Sequence, residues 1–436
     1  MNATPPFFRY LLLLLIAGSF AYALDGLKPA PDLRFAVPNN ITQNPTTSTP
    51  APPKPMRRFI PIANTSMVHA PAAIALSNGD IMAIWYGGSR EGAKDVQIFQ
   101  SRFRKNEAGY GHWSTISPIT SPIKTQQDTQ RYIRKVGNPV IAQWPNGELW
   151  LIYVTTSMGG WAASNLNLIT STDNGAHWSP AKRLITSPFL NLSTLVKGTP
   201  FFYADGSLGV PVYHEFAGKF GEILRIARNG TIMDKQRLST QREGIQPVVL
   251  IEDQNNATAL LRYSGNQVPP RALMTHTTST VTKWAPSTAT EIPNPNSAIA
   301  ALTLNGGRYL AVLNDTEKDR ERLSLMLKEG KGSEWKRIYA FEDQYALHDQ
   351  KINDQEYAER LFPLLIQNNV PLQNIEDTIQ RVQKNMCRKS KGRCEFQFDY
   401  PYLIQATDGT LHLFSTWNKT LVSHIEFTEQ WLETLP

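Results

Sequence analysis

One local pattern recurs six times along the 436 residues: an apolar strand, a short turn and a second apolar strand. The turns begin at Asn78, Asn146, Asp205, Asn255, Gly306 and Asp408. In every turn except that at Asn255 the second residue is glycine, which accepts the positive φ of a tight hairpin. The first five turns lie 50 to 68 residues apart. A strand-rich unit repeated about every 50 residues predicts the blades of a β-propeller.

The interval between the fifth and sixth turns is 102 residues, which indicates an insertion at about residues 344–397. Its polar sequence favours two helices, at residues 354–367 and 374–384, separated by Pro371. Cys387 and Cys394 follow, and in an exported chain such a close pair favours a local disulfide. We therefore predict an all-β, six-bladed β-propeller over residues 59–436, with a helical insertion before the last blade.

The N-terminal segment has the features of a secretory signal. Arg9 precedes an apolar run that ends at Phe20, and Ala21-Tyr22-Ala23 follows. Residues 1–23 are thus expected to direct export, with a periplasmic or secreted product; an uncleaved N-terminal anchor is the alternative. No later segment is apolar enough to span a membrane. Residues 24–58 are rich in Pro, Thr and Asn, as in an extended linker.

The net charge of +7, with 19% charged residues, favours anionic partners. No basic stripe is interleaved with aromatic residues, so binding to nucleic acid is not expected. The histidines are scattered without metal-ligand spacing, and phosphate loops and dinucleotide fingerprints are absent from the sequence. The sequence therefore predicts neither a metal nor a cofactor.

A second repeat has its clearest copy at residues 171–178, Ser-Thr-Asp-Asn-Gly-Ala-His-Trp. Degenerate copies end at Trp113, Trp284 and Trp335. The clear copy matches the Asp box, S-x-D-x-G-x-x-W, in which Asp caps a tight turn and Trp packs beneath it. Further matching segments are residues 69–71, 85–96, 137–139, 245–247, 293–297 and 400–402. On these motifs residues 66–428 resemble the sialidase-like family, the Asp-box or BNR-repeat proteins described as predicted neuraminidases.

This resemblance implies a mechanism with a tyrosine nucleophile. The reacting carbon of sialic acid carries a carboxylate that would repel a carboxylate nucleophile, and sialidases use tyrosine instead. A glutamate takes the phenol proton and an aspartate acts as acid/base. The resemblance implies Asp95 as acid/base and Tyr400 as nucleophile, although Tyr400 could equally be a rim or core tyrosine. Glu215 and Glu243 are the candidate glutamates.

The resemblance also implies a clamp of arginines on the substrate carboxylate. Arg90, Arg262 and Arg320 occupy matching blade positions, with Arg322 as an alternative to Arg320. His69 stands where sialidases carry another arginine, and Gln246 lies near the expected position of the glutamate. Further candidates to line the pocket are Lys197, His214, Asn296 and Asn314.

The expected function is that of an exported exo-glycosidase, resembling exo-α-sialidases, that hydrolyses a terminal acidic sugar of a glycan or glycoconjugate. Two alternatives stay open. His69 and Gln246 are compatible with a glycosidase for another sugar, and a propeller can also be a non-catalytic module that binds glycans or a partner.

Overall fold

The computed structural model describes residues 6–25, 33–38, 54–61, 65–106, 110–187, 191–216, 218–344, 350, 352–388 and 393–435. Six antiparallel sheets of four or five strands follow one another around an axis, and each of the six hairpins forms two neighbouring strands of its sheet. Apolar clusters fill the spaces between adjacent sheets. The predicted six-bladed β-propeller is confirmed.

The strands run outward from the axis in each blade. Blade 1 contains β2 Met67–Ala75, β3 Ile81–Gly88, β4 Gln97–Lys105, β5 Gly111–Trp113 and β6 Ser117–Thr120. Blade 2 contains β7 Lys135–Gln143, β8 Leu149–Thr156, β9 Ser164–Ser171 and β10 Lys182–Arg183. Blade 3 contains β11 Leu195–Val196, β12 Phe201–Phe202, β13 Leu208–His214, β14 Phe220–Ile226 and β15 Ile232–Arg237.

The second half of the ring is built in the same way. Blade 4 contains β16 Gly244–Ile251, β17 Ala257–Tyr263, β18 Arg271–His276 and β19 Thr288–Pro293. Blade 5 contains β20 Ala300–Thr303, β21 Tyr309–Leu313, β22 Arg322–Lys328 and β23 Lys336–Asp343. Blade 6 contains β26 Phe398–Gln405, β27 Leu411–Trp417, β28 Leu421–Phe427 and the N-terminal strand β1 Met56–Phe59.

Strand β1 closes the ring by pairing antiparallel with β28, from Met56 opposite Glu426 to Phe59 opposite Ser423. Two arginines fix it. Arg57 forms an ion pair of 2.7 Å with Glu342 of blade 5, and Arg58 pairs with Glu426 of blade 6. The closing strand is therefore bonded to both the fifth and the sixth blade.

Two segments of the predicted linker, residues 24–58, pack against the propeller. Met56–Phe59 is the closing strand, and residues 33–38 lie on blades 3 and 4, where Phe35 is fully buried beside Phe201 and Tyr203. The prediction missed both because each segment is short and surrounded by Pro, Thr and Asn. Residues 26–32 and 39–53 lie outside the described part of the chain.

The predicted insertion contains helices α3 Asp354–Gln367 and α4 Leu372–Met386, as the apolar spacing indicated. Their apolar faces pack on blades 5 and 6. The Cys387–Cys394 disulfide is present, and it joins the short strands β24 Cys387–Arg388 and β25 Arg393–Cys394. Asn385 ties the insertion to the ring, since its Nδ2 donates to the Ser66 carbonyl at 2.7 Å.

The remaining helices are α1 Pro6–Asp25, α2 Pro122–Thr129 and α5 Glu429–Leu432, with short 3₁₀ turns at Trp161–Ala163 and Asn305–Gly307. A search of the described residues for a helix that could cross a membrane finds none. The assignment of residues 1–23 to a signal peptide stays a prediction.

The Asp box forms the turn between β9 and β10. Asp173 Oδ1 accepts hydrogen bonds from Ser171 Oγ at 2.7 Å and from the His177 amide at 2.9 Å. Gly175 adopts a φ of +81°, which favours glycine. Trp178 Nε1 donates to Gln100 of blade 1 at 3.3 Å. The box thus links two blades at the periphery and takes no part in the site described next.

Candidate active site

The innermost strands of blades 1, 2, 4 and 6 share a kink. A residue with positive φ precedes a proline in each, and the register shifts there as in a β-bulge. The four residues are Ala70 (+48°), Asn138 (+31°), Gln246 (+50°) and Tyr400 (+50°). Proline removes an amide donor that the bulge would leave without a ladder partner. Because these strands surround the axis, the bulges bring side chains from different blades into contact.

Gln246 joins blade 4 to blades 3 and 6 through its amide group. Its Nε2 donates to the Tyr400 hydroxyl at 3.3 Å and to the Tyr213 hydroxyl at 3.2 Å. Asn138 Nδ2 also donates to Tyr213, at 3.2 Å. Gln246, Tyr213 and Asn138 are buried. Blades 2, 3, 4 and 6 therefore meet in one hydrogen-bonded network, which we call the axial network.

Arg262 fixes the orientation of Gln246. Its Nη1 donates to Gln246 Oε1 at 3.1 Å, so the amide NH₂ has to face the two phenols. Gln246 is consequently a donor to Tyr400 and cannot accept the phenol proton. Arg262 Nε donates in turn to Asn296 Oδ1 at 2.7 Å.

Asn296 brings the two arginines together. Its side chain binds Arg262, and its backbone carbonyl accepts from Arg320 Nη2 at 2.9 Å. Asn296 has a φ of +54°, which exposes this carbonyl to the second arginine. The structure thus places Arg262 and Arg320 on either side of a single residue, next to Tyr400.

Arg320 forms an ion pair with Asp399, the residue before Tyr400. Its Nη1 lies 2.8 Å from Asp399 Oδ1, and the carboxylate is 1% exposed. Burial alone would raise the pKa of Asp399, but the positive charge of Arg320 and the hydrogen bond from its guanidinium group hold that pKa below its usual value. The neighbouring Arg322 is instead paired with Asp315 at 2.8 Å.

His69 lies against the other side of Tyr400, with ring centroids 4.3 Å apart. It is 4% exposed, and its Nδ1 is buried without a hydrogen-bond partner among the described residues. Burial lowers the pKa of His69, although the charges of Glu91 and Asp399 oppose that shift. The imidazole is therefore neutral near pH 7, and His69 does not supply the charge of the arginine that the family resemblance leads one to expect at this position.

Lys197 lies beneath Tyr400 and crosses the axis from blade 3 to blade 6. Its Nζ donates to the Pro401 carbonyl at 2.8 Å and faces the rings of Tyr402 and Tyr400, whose centroids are 5.0 and 5.8 Å away. The side chain is 3% exposed. Burial lowers the pKa of Lys197 to about 7. This residue forms part of the floor of the site.

Replacing Lys197 with Met is expected to stabilise the protein at pH 7 by about 1–4 kcal/mol, because a buried amine is exchanged for an apolar chain of similar length. Unfolding returns Lys197 to its usual pKa, so wild-type stability is lost as the pH falls from about 10 to 7. The free energy of unfolding of Lys197→Met should not fall in this way, and the free energies of unfolding of wild type and variant should converge as the pH rises. Urea unfolding at pH 7, 8 and 9 measures this. The exposed Lys336→Met is the control, and equal pH slopes in wild type and Lys197→Met would contradict the prediction.

Asp95 and Arg90 lie on the exposed loop that follows β3. Asp95 is held by Ser89, whose amide and hydroxyl both donate to its carboxylate at 2.9 Å. Glu91 of the same loop acts electrostatically on His69, Tyr86 and Arg320, so the loop borders the axial network. The roles of Asp95 and Arg90 stay predictions.

The other candidates lie around this centre. The charge of Glu215 acts on Tyr213, whereas the carboxyl group of Glu243 packs against Gly265. His214 pairs with Glu222 at 2.8 Å and stacks on Phe220. Asn314 is fully buried, and its Nδ2 donates to the carbonyls of Arg322 and Phe398 at 2.7 and 3.0 Å. Asn314 thus supports the backbone at the site.

Sequence reasoning missed Asp399, Tyr213, Asn138 and Glu91. The recurring X-Pro pair at the start of the inner strands was the available signal for Asn138, since Asn138-Pro139, Gln246-Pro247 and Tyr400-Pro401 occupy equivalent positions. No pattern in the sequence marks Asp399 as the partner of Arg320 or Tyr213 as an acceptor of the Gln246 amide, because these contacts join different blades.

A family model for the BNR repeat-like domain matches residues 79–413. No curated protein matches the sequence significantly. Among solved structures, a Hadza microbial sialidase aligns with a TM-score of 0.58 at 12% identity, over 84% of this chain and 66% of that protein. An intramolecular trans-sialidase from Ruminococcus gnavus, in complex with oseltamivir carboxylate, aligns at 0.58 and 10% identity, over 87% and 99%.

A protein of unknown function from Dyadobacter fermentans aligns with a TM-score of 0.55 at 12% identity, over 86% of this chain and 98% of that one. At these identities the structural likeness establishes the fold, while the family model spans most of the chain. The chain belongs to the BNR repeat-like domain family, and its propeller is of the sialidase type.

Proposed function

We propose that this protein is an exported exo-glycosidase that removes a terminal acidic sugar from a glycan at the axial network. The observation that carries the proposal is the arrangement around Asn296. Arg262 and Arg320 are both hydrogen-bonded to this residue, beside the hydroxyl-bearing Tyr400. Two guanidinium groups at one place suit a carboxylate, which they bind by forked hydrogen bonds.

In the proposed reaction Tyr400 Oη attacks the anomeric carbon, and Asp95 protonates the leaving oxygen as the glycosidic bond breaks. Water then attacks the anomeric carbon and Asp95 takes a proton of that water, while Tyr400 departs from the sugar as phenolate and recovers its proton from the group that accepted it. The phenol proton has to leave Tyr400, and Gln246 cannot take it because its carbonyl is directed at Arg262. Of the two predicted glutamates, Glu215 acts on Tyr213 within the axial network, so we propose Glu215 as the acceptor.

A neutral sugar is the second candidate substrate. Arg320 is already neutralised by Asp399, and the pKa of His69 is lowered by burial. The positive charge available for a carboxylate is therefore smaller than the arginine clamp alone suggests, and Arg262 carries most of it.

The test compares a fluorogenic α-sialoside with a neutral β-galactoside of the same leaving group. Wild-type protein is expected to cleave the sialoside. Arg262→Gln should raise KM for the sialoside about tenfold, through the loss of a charged hydrogen bond, with a smaller effect on kcat. Asp95→Asn should lower kcat. Gln246→Glu, which introduces a carboxylate beside Tyr400, should keep the enzyme active.

Two results would contradict this assignment. Cleavage of the galactoside alone would favour the neutral sugar. Sialoside binding without turnover, unchanged in Asp95→Asn, would instead indicate a glycan-binding module.

A further inference from the structure

A cavity of about 340 Å³ lies outside the axial network, in blade 2. Helix α2 is capped by Ser121 and is followed by Gln130, whose φ of +53° turns the chain sharply. Residues 131–133, which follow this turn, line the cavity together with residues at the end of β8 and in β9. The cavity is lined by Arg131, Tyr132, Met158, Asn165, Asn167 and Arg183, among others.

The lining carries positive charge and no carboxylate. Arg183 is held from below: its Nε and Nη2 donate to Asn165 Oδ1 at 3.2 and 2.5 Å. Its partners in the described part of the chain are neutral oxygen atoms. Burial and the charge of Arg131 both lower the pKa of Arg183. Two guanidinium groups therefore act on each other in a partly buried space that lacks a counter-charge among its lining residues.

The rest of the lining suits a sugar ring. Tyr132 and Met158 are 56% and 76% exposed at the mouth, and they offer apolar surface. The half-buried amide of Asn165 and the buried amide of Asn167 offer polar groups on the inner wall. A pocket with apolar walls and a few fixed polar groups is the usual form of a small-ligand site.

The cavity opens at the same end of blade 2 as the axial network. Thr155 and Ser157 lie at the end of β8, opposite the start of β7 that leads to Asn138. Lys135, at the start of β7, faces the Trp161 ring with its Nζ at 4.2 Å, and its side chain lies beside Gly92 of the Asp95 loop. A glycan bound at the axis could thus extend towards blade 2.

We propose that this cavity is a second glycan-binding site, which takes a sugar residue carrying a carboxylate or sulfate group. Arg131 and Arg183 bind the oxyanion, and Tyr132 packs against the ring. The site is separate from the axial network and does not depend on hydrolysis there.

The test measures binding by calorimetry with glucuronic acid, glucose 6-sulfate, glucose and inorganic sulfate as probes. The two anionic sugars are expected to bind and glucose is not. Arg131→Gln should weaken binding about tenfold, as expected for one charged hydrogen bond. Arg134→Gln is the matched control, because it removes the same charge three positions away and outside the lining. Tyr132→Ala tests the ring contact without changing charge.

The outcomes separate this site from the proposed active site. Binding that survives in Arg262→Gln but not in Arg131→Gln would support the second site, whatever the catalytic result. Equal losses in Arg131→Gln and Arg134→Gln would show a diffuse charge effect and overturn the proposal. Sulfate binding as tightly as the anionic sugars, and unaffected by Tyr132→Ala, would show a small-anion site only and overturn it as well.

Discussion

Tyr400→Phe is expected to lower turnover of the acidic glycoside by roughly 10³-fold or more, because it removes the oxygen that attacks the anomeric carbon. The change is small in structural terms. Gln246 loses one acceptor, but its other contacts, to Tyr213 and Arg262, remain. Binding of the sugar should therefore change much less than kcat. Single-turnover kinetics together with calorimetry would separate the two quantities.

Tyr402→Phe is the matched control for this variant. It makes the same chemical change on the same strand, two positions further along, at a buried tyrosine that also faces Lys197. Its kcat should stay close to that of wild type. A Tyr400→Phe protein that keeps more than about a tenth of the wild-type kcat would rule out a tyrosine nucleophile.

The largest expected effect on stability comes from Arg320→Met. The substitution leaves the Asp399 carboxylate, which is 1% exposed, without its ion-pair partner. Removing one member of a buried pair costs about 3–5 kcal/mol. The double variant Arg320→Met/Asp399→Asn should recover most of the lost free energy of unfolding, since no charge is then left buried. Arg337→Met, at a half-exposed pair with Asp315, should cost less than about 1 kcal/mol.

The pH dependence gives this prediction a definite sign. In wild type the pKa of Asp399 is lowered, so its contribution to stability is present above the unfolded pKa and is lost as the pH falls through the folded one. In Arg320→Met burial should raise the pKa of Asp399, and acid should then protonate the carboxyl group and relieve the penalty. In urea unfolding, the difference in the free energy of unfolding between Arg320→Met and wild type should become smaller from pH 7 to pH 5. A gap below 1 kcal/mol at pH 7 would contradict the role of the pair.

The fold was largely predictable because its signals are local. Each Asn-Gly or Asp-Gly turn predicts a hairpin from a few neighbouring residues, and the regular spacing of the hairpins predicts the blades. The helices of the insertion follow from the apolar spacing within Asp354–Gln367. The closing strand β1 escaped prediction because Arg57 and Arg58 make it look polar, although both pair with carboxylates on blades 5 and 6.

The site was predictable only in part, because contacts between distant parts of the chain decide how its side chains are arranged. Arg262, Arg320, Gln246 and Tyr400 were implied by the family resemblance, and they meet in the structure. Their mutual orientation was not predictable. That Gln246 donates to Tyr400 depends on Arg262 holding the other end of the amide, and that Arg320 is neutralised depends on Asp399.

Strand β1 also imposes an order on biogenesis. Its partner in β28 lies roughly 370 residues later in the chain, so β1 cannot pair until almost the whole protein has been synthesised. At 5–20 residues per second this wait lasts about 20–70 s. During that time β1 is an unpaired strand edge, and the positive charges of Arg57 and Arg58 oppose its association with other chains. A polypeptide interrupted before its last strand would leave the ring open, with the first and final blades unjoined.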